Sequence, residues 1–238
     1  MIVTIVGAGR LAEGIAVRAL AGGCTLRLAD AVPGKADALA SRLRARHHAA
    51  IPSPRLATSG APAHDGGIDA VAGTAGLAGL LTGSDVVVLA MPYPEGRRVA
   101  VEQGAALAGL TVVDTCNPVD FSTFDSLLTS PGMSAAEEIA RAVATVTPAA
   151  RVVKAFNTTF AATLIAGEAG GLPLDVFLAG DDLAAKEAVA ALVTAGGMRP
   201  VDAGPLRRAR ELEAFQFLHM TLQGPLGLDW SSAIKLLP

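Results

Sequence analysis

Ile2-Val3-Thr4-Ile5-Val6-Gly7-Ala8-Gly9-Arg10-Leu11-Ala12-Glu13-Gly14 opens the chain and decides its fold. A five-residue apolar run reads as a buried strand, a glycine-bearing turn follows, and Leu11–Ala21 continues with helical periodicity. Gly7, Gly9 and Ala12 fill the three small positions of G-x-G-x-x-G/A. The first allows the tight turn, the second a close backbone approach to a pyrophosphate, and the third close contact of helix and strand. Free N–H groups at a helix N-terminus attract phosphate charge. In this strand–turn–helix setting the pattern predicts a dinucleotide site held by Gly7, Gly9, Arg10, Leu11 and Ala12.

Outward from that stretch the alternation repeats. Thr25–Leu28, Val86–Ala90, Thr111–Asp114, Val152–Phe156 and Val176–Ala179 read as further buried parallel strands. Pro33–Arg46, Glu95–Leu107, Ala135–Thr145 and Leu183–Ala195 read as helices. Ser134-Ala135-Ala136-Glu137 is a capping box, and Asp181 and Asp182 stand where the next helix needs an N-cap. The expected fold class is α/β, a doubly wound parallel sheet of the Rossmann kind with a smaller C-terminal α/β domain. Tighter strand–helix spacing after Phe156 divides the chain into a dinucleotide-binding unit, 1–155, and a unit closing a cleft, 156–238.

Composition narrows the function. The 238 residues carry 19 basic and 22 acidic side chains, a net charge of −3, and 51% hydrophobic but only 4% aromatic residues. A nucleic-acid footprint is not expected from a chain with a basic deficit. Mean hydropathy is +0.46, yet no stretch reaches the ~20 apolar residues of a membrane span. No signal peptide is read at the start. Cys24 and Cys116 are too far apart for a metal-ligand pattern, and a reduced, cytoplasmic protein is expected. The Asn157-Thr158-Thr159 sequon is therefore read as a chance match. His47–Gly67, rich in Pro, Gly and Ser, reads as a long surface insertion. Nothing in the sequence fixes His47, His48 and His64 on one face, and no metal site is predicted.

Site residues follow from the strand ends. Asp30 lies where an acid accepts bonds from the adenosine ribose hydroxyls and repels a 2′-phosphate, which favours NAD over NADP; Lys35 is a neighbouring cation. Ala90, Met91, Pro92 and Tyr93, with Asn117 and Pro118, close the next two strands and border the nicotinamide. Cys116 lacks an activating partner and reads as a packed thiol. His219, in an apolar stretch, reads as a core histidine. No catalytic acid, base or nucleophile is singled out, and none is needed for hydride exchange between two cofactors, whose rings carry the chemistry.

Several of these segments resemble one family. Ile5–Gly14, Val86–Tyr93, Val153-Lys154-Ala155-Phe156-Asn157-Thr158, Gly180-Asp181-Asp182 and Asp202–Leu206 resemble the NADPH-dependent reductases of coenzyme F420. The resemblance implies a deazaflavin bound between two domains, near Phe156, Asn157 and Pro205, and hydride transfer between it and NAD(P)(H). Family members usually grip the 2′-phosphate with a Ser-Arg pair; Asp30 and Ala31 stand there instead. Pro205–Glu213 also resembles the soluble domain of six-transmembrane ferric reductases. A flavin, ferric or imine reductase, or an NAD(P)-sensing module without turnover, is the alternative. Phe215, Leu218 and Leu222 recur at helical spacing and are read either as core or as the face of a homodimer.

Overall fold

β1, Ile2–Val6, carries the loop that opens the chain and lies inside a single eight-stranded sheet. The structure is a computed structural model that describes residues 1–50, 67–72 and 76–237, with backbone alone at 47–50 and 70–72. The elements run β1, α1 (Arg10–Ala21), β2 (Thr25–Asp30), α2 (Lys35–Ala50), β3 (Ile68–Ala72), α3 (Leu77–Leu81), β4 (Val86–Leu89), α4 (Tyr93–Glu102) and β5 (Thr111–Asp114). There follow α5 (Ala135–Ala144), β6 (Arg151–Lys154), α6 (Ala161–Ala166), the hairpin β7 (Glu168–Ala169) and β8 (Leu172–Pro173), β9 (Asp175–Gly180), α7 (Leu183–Ala195), β10 (Arg199–Gly204), α8 (Ala209–Thr221) and α9 (Gln223–Leu226).

The sheet order is β10-β9-β6-β5-β4-β1-β2-β3. Strands β1 to β6 are all parallel, in the 3-2-1-4-5-6 order of a Rossmann sheet. β9 reverses direction against β6, and β10 runs parallel to β9. The C-terminal unit expected from Phe156 onward thus adds two strands to the edge of the same sheet.

The β4 residues Val86–Leu89 are buried on both faces, as the uninterrupted aliphatic run demands. Val86 and Val88 pack with Ile15, Leu39 and Val189 of α1, α2 and α7. Val87 and Leu89 point the other way, toward Leu81, Val99 and Ile139 of α3, α4 and α5. Small residues bring the helices close: a Cβ on Gly14 would lie 2.7 Å from Leu164 Cβ, and one on Gly22 2.9 Å from the Ala195 backbone. Packing of this kind accounts for high hydropathy with few aromatics; no described helix is long and apolar enough to cross a membrane.

Boundaries shift where local chemistry dictates. α2 extends to Ala50, so His47 and His48 are helical and the expected insertion begins later; 51–66, with His64, lie outside the described residues. α4 starts at Tyr93, with a proline in its first turn, and stops at Glu102 before a separate 3-10 turn over Gly104–Leu107. β6 ends at Lys154 and not at Phe156. The capping box at Ser134 and Glu137 and the Asp182 cap form as read.

Candidate active site

The Gly loop crosses the carboxyl ends of β1 and β4, where the sheet order switches. Gly7 has φ +110°, and a Cβ there would stand 2.3 Å from Ala90 O, so glycine is required on both counts. At Gly9 a Cβ would meet nothing within 4 Å, so the backbone there faces open space. Gly9 is the N-cap of α1 without a side-chain cap, and the first helical bond is Glu13 N–H to Gly9 O at 3.0 Å. The N–H groups of Arg10, Leu11 and Ala12 therefore lack intrahelical acceptors and suit an anion. The residues fit a dinucleotide.

Asp30 ends β2 beside this loop. Its Oδ2 accepts from Ala8 N–H at 2.8 Å and its Oδ1 from Val32 N–H at 2.8 Å. The carboxylate braces the Gly loop and still has lone pairs for ribose hydroxyls. Lys35 is exposed at the start of α2.

Beyond β4 the floor is built by the ends of three strands. Ala90 N–H donates to Val6 O at 2.8 Å, joining the two halves of the crevice. Met91 and Pro92 lead into α4, and the Tyr93 hydroxyl donates to Glu138. Burial, then this bond, raise the Tyr93 phenol, which stays protonated. Asn117 and Asn157 meet face to face: Asn117 Nδ2 donates to Asn157 O at 2.9 Å, and Asn157 Nδ2 to Asn117 Oδ1 at 3.0 Å and to Leu212 O at 3.2 Å. Pro118 is buried behind them. Phe156, fully buried, takes φ +63°, a left-handed conformation that costs a bulky residue energy. That kink turns the chain out of β6 and aims Asn157 across at Asn117. Asn157 is 1% exposed, so the sequon is inaccessible.

Beneath this pair lies a buried ion network. Lys154 Nζ, 0% exposed, donates to Asp114 Oδ2 at 2.7 Å, Cys116 O at 2.6 Å and Glu213 Oε1 at 2.7 Å. Glu213 also accepts from Ala135 N–H at 3.0 Å, so the amino end of α5 shares its charge. Burial alone would lower the Lys154 ammonium, but Asp114 and Glu213 outweigh it and hold it charged. Burial pushes Glu213 up, against the pull of Lys154. It also pushes the Cys116 thiol well up, in keeping with a packed thiol.

Pro205 does not join this group. β10 pairs Gly204 with Ala179, which pairs with Lys154 across the reversed junction, so the chain past Gly204 heads toward the amino end of β6. Pro205 lines instead a cavity of about 560 Å³ with Glu137, Arg141, Asp181 and Arg207. His219 is buried on α8, 3.1 Å from Gln216 Oε1 and 2.8 Å from Ser232 Oγ, and burial lowers its pKa. Among the described residues no cluster of His, Cys, Asp or Glu could hold a metal.

Asp114, Lys154 and Glu213 escaped the motif reading. A lysine ending the apolar run Arg151-Val152-Val153-Lys154 was the available signal, because a cation in a buried strand requires a partner. Its partner Glu213 comes from α8, 59 residues on.

A Gly-loop crevice over a 3-2-1-4-5-6 sheet defines a Rossmann-type dinucleotide-binding fold. Residues 2–118 match the family described as NADP oxidoreductase, coenzyme F420-dependent. Among solved structures, one from Arthrobacter sp. FB24, proposed to be an F420-dependent NADP reductase, is similar with TM-score 0.75 and 25% identity, covering 99% of each chain. A hypothetical protein from Sinorhizobium meliloti gives TM-score 0.67 and 29% identity over 87% of this chain and 86% of that one. The Streptomyces aurantiacus imine reductase shares the fold, with TM-score 0.63 and 18% identity over 96% of this chain and 64% of its own. Metalloreductase STEAP3 of Rattus norvegicus is 37% identical over 108 residues, 45% of this chain but only 20% of that relative's length.

Proposed function

We propose that this protein passes a hydride between NAD(P)(H), held by the Gly loop, and coenzyme F420. The observation that carries this reading is the state of the titratable groups at the crevice floor. Lys154 and Asp114 are bonded to each other, Glu213 is bonded to Lys154 and α5, and Tyr93 donates to Glu138. Oxidising an alcohol calls for a positioned base. Exchange of hydride between two rings calls for positioning and exclusion of water, with solvent supplying the accompanying proton.

In this reading Gly7, Gly9, Arg10, Leu11 and Ala12 hold the pyrophosphate, and Asp30, flanked by Lys35, meets the adenosine ribose. Ala90 to Tyr93 with Asn117 and Pro118 border the nicotinamide; Phe156, packed in the core, turns the chain so that Asn157 stands on the acceptor side. Residues 1–155 act as the dinucleotide unit and 156–238 as the unit that closes the crevice. Both cysteines are buried and unpaired, which fits a reducing cytoplasm. Steady-state assays of F420, FMN and ferric citrate, each with NADH and NADPH, test the proposal. Rapid turnover confined to F420 supports it. Turnover with FMN or ferric citrate alone favours the second reading, for which the identity to the metalloreductase speaks. Nucleotide binding with no turnover would leave a sensing module.

A further inference from the structure

Arg141 of α5 and Arg207 of the 3-10 turn Leu206–Arg208 line the cavity of about 560 Å³ that also takes in Pro205. Their neighbours are committed elsewhere. Arg208 pairs with Glu211, and Arg210 grips Glu137 through two bonds of 2.8 and 2.7 Å. Among the described residues Arg141 and Arg207 have no carboxylate partner. Guanidinium groups stay charged at any ordinary pH, so both bring a full positive charge to the cavity.

The cavity is separate from the crevice. α5 and α8 run antiparallel, and their contacts descend in order from the crevice floor. Glu213 takes Ala135 N–H at 3.0 Å, and one turn farther along α5 Glu137 takes Arg210. Arg141 lies another turn along α5 and Arg207 three residues before Arg210. Those two contacts therefore stand between the arginines and the floor built by Lys154 and Asn157.

The remaining walls narrow the ligand. Glu137 is neutralised by Arg210 and also accepts from Ser134 N–H at 3.0 Å. Asp181 Oδ1 accepts from Leu206 N–H at 2.9 Å, and its carboxylate keeps lone pairs for a hydroxyl. Small-molecule sites occupy about 300–1,000 Å³. Two guanidinium forks without a counter-charge favour a dianion, and a phosphate monoester carries about −1.5 to −2 on three oxygens that such forks can grip two at a time. We propose that this cavity is a second ligand site, for the phosphate monoester of a small polyhydroxy compound. The phosphate is held by Arg141 and Arg207, and a hydroxyl of the ligand donates to Asp181. The inference goes beyond hydride transfer and stands whichever acceptor the crevice takes.

Calorimetry with ribose 5-phosphate tests it, on wild type saturated with NAD+, so that the Gly loop is filled, and on Gly9→Ala. One equivalent should bind to each. Arg141→Gln and Arg207→Gln should each weaken that binding about tenfold or more and leave NAD+ affinity unchanged. Ribose and succinate should bind the wild type at least about tenfold more weakly than ribose 5-phosphate. Binding of equal strength in either glutamine variant overturns the site. Binding that disappears with NAD+ or in Gly9→Ala belongs to the Gly loop and overturns it as well. Succinate binding as tightly as the ester overturns the phosphate assignment, and no saturable binding up to about 10 mM overturns the whole proposal. Arg141 and Arg207 are exposed, so their replacement leaves the fold in place for each readout.

Discussion

Lys154 Nζ lies 2.7 Å from Glu213 Oε1, with both side chains shut away from solvent. The contact fastens α8 to the end of β6 and, through Cys116 O, to the turn that carries Asn117. Removing one member of a buried pair strands the other charge, at about 3–5 kcal/mol. Lys154→Met should therefore lower the urea unfolding free energy by that amount, and Glu213→Gln by less, since the amide can still accept from Lys154. Equal, small losses in both variants would count against the network.

Asp30 predicts the preference of the cofactor site. NAD(H) should bind at least as well as NADP(H), because a carboxylate meets the 2′-phosphate with like charge. Converting Asp30→Ser together with Ala31→Arg should move the NADP-to-NAD affinity ratio up at least tenfold, ~1.4 kcal/mol. Calorimetric titration of both nucleotides decides; a wild type that already prefers NADP tenfold sinks the prediction.

Gly7→Ala and Gly9→Ala should fail differently. At Gly7 the new methyl meets Ala90 O at 2.3 Å in a backbone with φ +110°, so thermal stability should drop along with binding. At Gly9 nothing lies within 4 Å, and the variant should melt like the wild type while losing dinucleotide affinity. Matched melting curves and titrations separate the two.

Asp175 gives a pH dependence. Burial alone would raise its carboxyl, but Arg199 and Lys235 outweigh burial and hold it well below the usual range. A carboxyl lowered on folding stabilises the protein above its unfolded value, about 4. That contribution is lost as pH falls toward the folded value. Urea unfolding between pH 7 and pH 3 should show stability falling below about pH 4, and Asp175→Asn should show a shallower fall. Coincident slopes would refute the assignment.

Phe215, Leu218, Leu222 and Leu226 are exposed along one face of α8 and α9, while Leu212 turns inward. The core alternative therefore fails for this stripe, and self-association into a homodimer is the expected use of it. Sedimentation at micromolar concentration should show a dimer that Leu218→Glu dissociates; a wild-type monomer would end the idea.

The central sheet was legible because its strands are buried on both faces and read as aliphatic runs. The two missed ladder strands are its edges. β3, Ile68–Ala72, carries Asp69, and β10, Arg199–Gly204, carries Pro200 and Asp202, residues an edge strand tolerates and a central one does not. The Gly loop was legible for the same local reason: turn, close approach and helix start are consecutive in the chain. The Lys154 network was not, since it joins β5 and β6 to α8. Pro205 was misplaced with respect to Asn157 because no local signal announces that β9 runs against β6.

Gly14 against Leu164 and Gly22 against Ala195 leave α1 no room to tilt or slide. The helix whose amino end would receive a pyrophosphate is thus wedged between α6 and α7 before any nucleotide arrives. Docking the phosphates then costs little ordering of the receptor, and affinity at that end is set in advance. A dinucleotide carried there would meet a socket whose stiffness is written into two glycines on the helix behind it.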